Sequence, residues 1–164
     1  SGGLEALETI LALPEFAAAI HHLGPIRVSP MRLYDLADLG PQDLGGKGGG
    51  APQILAASRS RNDGLYEGVS QWFEEHFDRR LVVNIQSSER GTGVFPVTLE
   101  SPSGTSVALA DCGAGIAQVL PLVVRRFQLE VDEWLPYLPA LQIVEQPELH
   151  LHPAANAVVG ARTR

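Results

Sequence analysis

The 164-residue sequence predicts an α/β fold that carries a smaller antiparallel α+β region. Three observations predict it. A short apolar run over 141–144 ends in Glu145, and a polar turn with two histidines and then Pro153 follows. That is the pattern of a buried strand delivering a carboxylate to its carboxyl end, with a helix after it. Three β-prone runs, 81–85, 94–99 and 105–110, are separated by turn signals and read as an antiparallel meander. Two stretches, 4–20 and 65–80, show apolar residues at helical spacing.

Composition bounds the possibilities. The length suits a single domain, and 45% hydrophobic residues supply a core. Seventeen glycines and twelve prolines predict short elements with frequent turns. A net charge of −7 argues against a generally basic nucleic-acid-binding surface. The pairs Arg79-Arg80 and Arg125-Arg126 read as solvated helix edges. Cys112 is the single cysteine, which excludes an internal disulfide and a cysteine-based zinc site. It fits a reducing cytoplasm. Neither a signal sequence nor a membrane-spanning run is evident. The chain opens on Ser1-Gly2-Gly3 and stops at Arg164 within an expected helix, so a piece of a longer protein is expected.

Taken in order, residues 4–20 form an expected amphipathic helix with Leu4, Leu7, Leu11 and Phe16 on one face. His21 and His22 fit either a metal pair or, as favoured here, a helix C-terminus. Residues 26–28 read as a short strand. The glycine-rich stretch 40–52 tempts a phosphate-loop reading, but the spacing G-x-x-x-x-G-K-[ST] fails: Pro41 stands at the first position and Gly48 follows Lys47. It is read as a flexible surface loop. A short helix over 54–60 and a turn at 62–64 come next. The helix over 65–80 places Val69, Trp72, Phe73, His76 and Phe77 on or near one face, Trp72 and His76 being core and edge. After the meander, with turns at 91–93 and 101–104, Asp111 is a candidate cap for an apolar helix over 119–127, with Pro121 about one turn in. Gly113 and Gly115 leave backbone N–H groups open at a helix N-terminus, a geometry that holds phosphate. Residues 131–139 connect to the strand at 141–145.

Ligands in open α/β sheets bind at the carboxyl ends of strands, so Glu145 is the first candidate site residue. A carboxylate there suits Mg²⁺, which takes oxygen ligands and keeps water. Gln146 orients water but accepts no proton, and Glu148 is an alternative acid or base. His150 and His152 alternate with leucines and so share a side, which also fits a zinc pair with Glu148.

These residues look familiar together. The run Ile143-Val-Glu-Gln-Pro-Glu-Leu-His-Leu-His-Pro153 resembles the Walker B and D-loop segment of the ABC-type AAA family ATPases, the RecF/SMC/OLD-like group. Asp111-Cys-Gly-Ala-Gly-Ile-Ala-Gln-Val-Leu-Pro121 is similar to that group's signature segment. His22-Leu-Gly-Pro-Ile-Arg27 resembles the region between Walker A and the signature. The resemblance implies a partial P-loop ATPase domain with an inserted lid of antiparallel strands and helices. Residues 1–110 would be the lid-like region, and 111–164 the signature helix, Walker B strand and following helix. It implies ATP and Mg²⁺ as cofactors. Glu145 would hold the metal, and Gln146, Glu148 and His152 would be the catalytic candidates. Gly113, Gly115 and Gln118 would bind nucleotide. It also implies a head-to-tail homodimer, or a complementing segment that carries Walker A, with nucleic acid reached only through a full-length protein and no membrane. Ala117 departs from the serine usual in relatives, Gln146 from the usual glutamate, and no Walker A is present. A non-enzymatic interaction or regulatory module and a His/Glu metallohydrolase remain as alternatives. DNA repair and phage defence are the family's settings.

Overall fold

A computed structural model describes residues 20–36, 43–87, 93–131 and 141–145. Among the described residues helices and strands are mixed, and the strands form three small sheets. β1 (Ile20–Leu23) and β8 (Leu141–Val144) pair in parallel, with Ile20 opposite Leu141 and Leu23 opposite Val144. The parallel ladder continues one step further, where the Glu145 N–H donates to the Leu23 carbonyl at 2.9 Å.

The first strand lies earlier than the sequence suggested. The expected helix over 4–20 falls outside the described residues except Ile20, and Ile20 already belongs to β1. His21 and His22 therefore sit in a strand, not at a helix end, because pairing with the apolar 141–144 run decides their conformation. The strand expected at 26–28 is absent. That segment instead lies against the glycine stretch, with the Val28 N–H donating to the Lys47 carbonyl at 3.0 Å. β2 (Tyr34–Asp35) follows it.

The glycine stretch is a loop with Gly45, Gly46, Lys47 and Gly49 exposed, as its composition suggests, but it is anchored at Leu44 and Gly48, which are buried. Gly48 is buried at φ +72°, and a Cβ there would stand 2.5 Å from the Pro121 Cβ. The Gly24 N–H donates to the Gly46 carbonyl at 2.8 Å, and the Gly50 N–H to the Leu44 carbonyl at 3.0 Å. Glycine here allows close backbone approach, not only flexibility.

Helix α1 (Ala51–Arg61) begins three residues before the expected one, with Pro52 in its first turn, where no N–H is required. Asn62 closes it in the left-handed conformation. Helix α2 (Leu65–Phe77) ends earlier than expected, at a left-handed Asp78. It buries Val69, Trp72 and Phe73, while exposed His76 stacks on Trp72 at 4.3 Å, as the helical spacing implied. Asp63 links the two helices. Its carboxylate accepts from Ser58 Oγ, from the Arg61 guanidinium at 2.8 Å and from the Leu65 N–H at 3.2 Å.

Two antiparallel sheets complete the chain. β3 (Arg80–Val83), β6 (Val97–Glu100) and β7 (Ser106–Ala108) form the expected meander, in the order β3-β6-β7. Arg80 thus lies in a strand, not on a helix edge; it contacts Glu74 at 3.6 Å. The expected strand 94–99 is two strands. Pro96 lacks an N–H and interrupts the ladder, so β5 (Gly93–Phe95) leaves to pair with β2 and β4 (Gln86–Ser87). The run after β7 tightens into a 3₁₀ turn, Leu109–Asp111. On the open edge of β3, Ser70 Oγ donates to the Leu81 carbonyl at 2.7 Å and Arg59 Nη1 donates to the Val83 carbonyl.

Helix α3 (Ala114–Val131) is longer than expected at both ends, and Pro121 lies well inside it. Asp111 does not cap it. Its carboxylate accepts from Arg32 Nη2 at 2.8 Å, and Cys112 and Gly113 separate it from the helix. α3 packs on α2 where Gly68 admits Phe127; a Cβ on Gly68 would stand 2.6 Å from the ring. One hydrophobic cluster, including Phe73, Leu81, Phe95, Leu99, Leu109, Val119 and Val124, draws on residues from both sides of position 110.

Two predictions follow from this packing. Gly48→Ala should destabilise by about 1–3 kcal/mol through overpacking on Pro121 plus left-handed strain. Gly45→Ala, also at positive φ but with open space around it, should lose less. Urea denaturation midpoints of the two variants rank them, and equal losses would remove the Pro121 contact as the cause. Burial alone would raise the Asp63 pKa, but the bonds from Ser58, Arg61 and Leu65 and the Arg61 charge outweigh it and lower it. A depressed carboxylate stabilises above its unfolded pKa of about 3.9 and loses that contribution as pH falls through its folded value. Asp63→Asn should therefore cost about 1–2 kcal/mol at neutral pH and progressively less in acid. A penalty that does not shrink on acidification would refute the linkage.

Candidate functional site at the carboxyl ends of the parallel strands

Strand geometry brings His22 and Glu145 together. His22 stands opposite Ile143 in the parallel register. Cross-strand partners share a face, and side chains two apart along a strand do so too, so Glu145 lies on the same face as His22. The long side chains close the diagonal: His22 Nε2 lies 2.7 Å from Glu145 Oε1. Both side chains are about half exposed, at 50% and 51%. Ile143 between them is 43% exposed, so this face of the parallel pair is open to solvent.

Behind the pair lies Arg27, the one charged side chain buried among the described residues, at 4% exposure. Its Nη2 donates to the Glu145 backbone carbonyl at 3.4 Å, and its Nη1 to Gln118 Oε1 at 3.4 Å. Gln118 projects from the early part of α3, just past Gly113 and Gly115. Gly113 has φ +84° and ends the turn that releases the chain into the helix. Nothing within 4 Å would meet a Cβ placed on it, so the approach to its backbone is open. The adjacent thiol of Cys112 points back into the fold, contacting the Ala108 carbonyl at 3.3 Å, and burial pushes its pKa up. Such a thiol is a poor nucleophile.

The glycine stretch borders the same end of the sheet. Gly24 directly follows β1 and donates to Gly46, and a Cβ on Gly24 would lie 4.0 Å from the His22 ring. The structure thus gathers Glu145, Gln118, His22, Arg27 and the 44–48 backbone around one strand end. Gln146, Glu148, His150 and His152 lie outside the described residues.

Glu145 suits a magnesium ion. A single carboxylate, with the remaining positions taken by phosphate oxygens and water, is a common way to hold Mg²⁺. His22 does not suit it as a ligand, since imidazole prefers transition metals. It suits the second role of a hydrogen-bond partner that orients the carboxylate. Among the described residues no three His, Cys, Asp or Glu side chains cluster closely enough to hold a metal by themselves. A groove of about 870 Å³ lies elsewhere, between α2 and β3, lined by Tyr66, Ser70, Glu74, Arg80 and Glu100 among others. Its volume does not mark it as the site, because none of the gathered residues faces it.

His22 and Arg27 were legible only in part. The spacing of His22 on a strand opposite an apolar run was hidden by the helix reading of 4–20. Arg27 sits between exposed Ile26 and Val28, so no periodicity announced its burial. Comparison with protein-family models, with curated proteins and with solved structures returned no match. Among the described residues no helix is long and apolar enough to cross a membrane.

The burial contrast sets an order of cost. Glu145→Ala and His22→Ala break a half-exposed pair and should each change stability by no more than about 1 kcal/mol. Arg27→Ala removes a buried charge-assisted bridge and should cost about 2–4 kcal/mol. Denaturation midpoints test the order, and a costly Glu145→Ala would make that residue a structural support instead of an available ligand.

Proposed function

We propose that this chain supplies the metal-holding and signature half of an ATP site of the ABC-type AAA kind. The observation that carries the reading is a carboxylate, Glu145, at the open carboxyl end of a parallel strand pair, joined through Arg27 to Gln118 near the start of α3, the helix that follows Gly113 and includes Gly115. In that reading Glu145 would hold Mg²⁺, which would supply charge neutralisation to a bound triphosphate. His22 orients the carboxylate. The open backbone at Gly113, just before the positive end of α3, would face phosphate, with Gly115 in the first turn beside it. Gln118 completes the polar lining, and Gln146, Glu148 and His152 are the candidates for handling water.

Several features support an assembled working form. Parallel sheets are normally covered on both faces, and a two-stranded sheet is marginal alone. The face that carries His22, Ile143 and Glu145 is uncovered among the described residues. Ile26, Val28, Met31 and Leu33 are exposed in the segment that also carries Arg27. We read this surface as the place where a second copy, or a segment carrying Walker A, completes the site. The antiparallel sheets with α1 and α2 would then be the lid-like region over 1–110, and 111–164 the ATPase core. Any contact with nucleic acid would belong to the full-length protein.

The exposed apolar residues also suit a second reading, a non-enzymatic module that docks on a partner ATPase. One experiment separates the two. The purified chain should bind Mg·ATP weakly and hydrolyse none. Adding a polypeptide that carries G-x-x-x-x-G-K-[ST] after an apolar strand should produce Mg²⁺-dependent hydrolysis. Glu145→Gln should then lower kcat by about a hundredfold or more. Robust hydrolysis by the chain alone would refute the need for complementation. Complex formation without hydrolysis would favour the docking module.

A further inference from the structure

Arg27 joins parts of the chain that are far apart in sequence. Nη1 reaches Gln118 on α3, and Nη2 reaches the Glu145 carbonyl at the end of β8. The residue after it is pinned to the glycine stretch by the Val28 N–H and the Lys47 carbonyl. These two acceptors are neutral oxygens on different elements, one a side-chain amide on α3 and one a main-chain carbonyl at the end of β8. A guanidinium suits this place because it is planar, weakly hydrated and presents separate donors in fixed directions. A lysine ammonium is a single point and would not span both acceptors. At 3.4 Å each, the two bonds lie near the upper limit of useful length, so a shift of a few tenths of an ångström tightens or releases them.

We propose that Arg27 is a positioning residue that couples the glycine end of α3 to the carboxyl end of β8. Displacement of the first turns of α3 pulls on Gln118, moves the guanidinium and shifts the main chain at Glu145. A group that binds beside Gly113 and Gly115 thereby resets the carboxylate on the neighbouring strand. That this group is a nucleoside triphosphate rests on the reading given above; the coupling does not.

The test is amide hydrogen exchange followed by NMR on the full chain, for the wild type, Gln118→Ala and Arg27→Lys. The probes are the amides of 114–118 and of Glu145, the latter bonded to the Leu23 carbonyl. Gln118→Ala, made only on α3, should speed exchange at Glu145 by about tenfold. Arg27→Lys should speed both segments. The amides of Leu81 and Leu99, in the β3–β6 pair, should not change, which separates this effect from general loosening. Arg126→Ala, exposed at the far end of α3, should leave Glu145 unaffected. If Gln118→Ala alters only 114–118, or if all strands loosen together, the coupling is wrong. Should Arg27→Lys fail to fold, Gln118→Ala alone still decides the matter. Millimolar Mg·ATP should protect both segments in the wild type and lose its effect on Glu145 in Arg27→Lys. Coupled exchange between the variants with no protection by Mg·ATP would overturn the nucleotide reading and leave the coupling standing.

Discussion

Parallel pairing of Ile20–Leu23 with Leu141–Val144 is the constraint on which the rest of the chain depends. Parallel neighbours cannot be joined by a tight turn, so everything between them serves as one long crossover. The strands gain their partners only when residues far apart in sequence have already been brought together, which costs loop entropy. The hydrophobic cluster that α1, α2, α3 and the β3–β6–β7 sheet build together offsets that cost. The parallel pair in turn decides which side chains stand at its carboxyl end, and that end holds Glu145, His22 and the buried Arg27.

Close backbone approach is the second organising device. Gly48 lets the 44–50 stretch lie on Pro121, and Gly68 lets α2 lie on Phe127. Both contacts grip α3, one near each end of its middle. A proline within the helix forfeits one intrahelical hydrogen bond. Here the ring also provides the flat surface on which the glycine stretch rests. α3 is thereby held in register with β1 and β8, and Gln118 comes within reach of the same guanidinium as the Glu145 carbonyl.

Much of the fold was legible locally. The strand ending at Glu145, the helix at Leu65, the meander and the Trp72–His76 arrangement each follow from short-range pattern. What pattern concealed was long-range. Ile20–Leu23 becomes a strand because of a partner 121 residues away in register, and helical spacing before it gives no warning. The glycine stretch reads as loose when its composition is taken alone, since only the position of Pro121 explains the burial of Gly48 within it. Pro96 was visible, yet that it hands the chain from one sheet to another depends on β2 waiting beside β5. Of the residues gathered at the strand end, Glu145 was singled out by the strand pattern and Gln118 only by the resemblance. The burial of Arg27 was not legible, because its neighbours on both sides point outward.

The side chains that close the outer edge of β3 carry a consequence for behaviour in concentrated solution. Ser70 and Arg59 occupy carbonyls of Leu81 and Val83 that another chain would need for strand addition. Strand-by-strand stacking of this apolar segment into fibrils is thereby blocked at its first step while α1 and α2 remain in place. Protection of this kind is lent by the helices and not owned by the strand. It holds only while both helices stay docked, Arg59 being carried by α1 and Ser70 by α2.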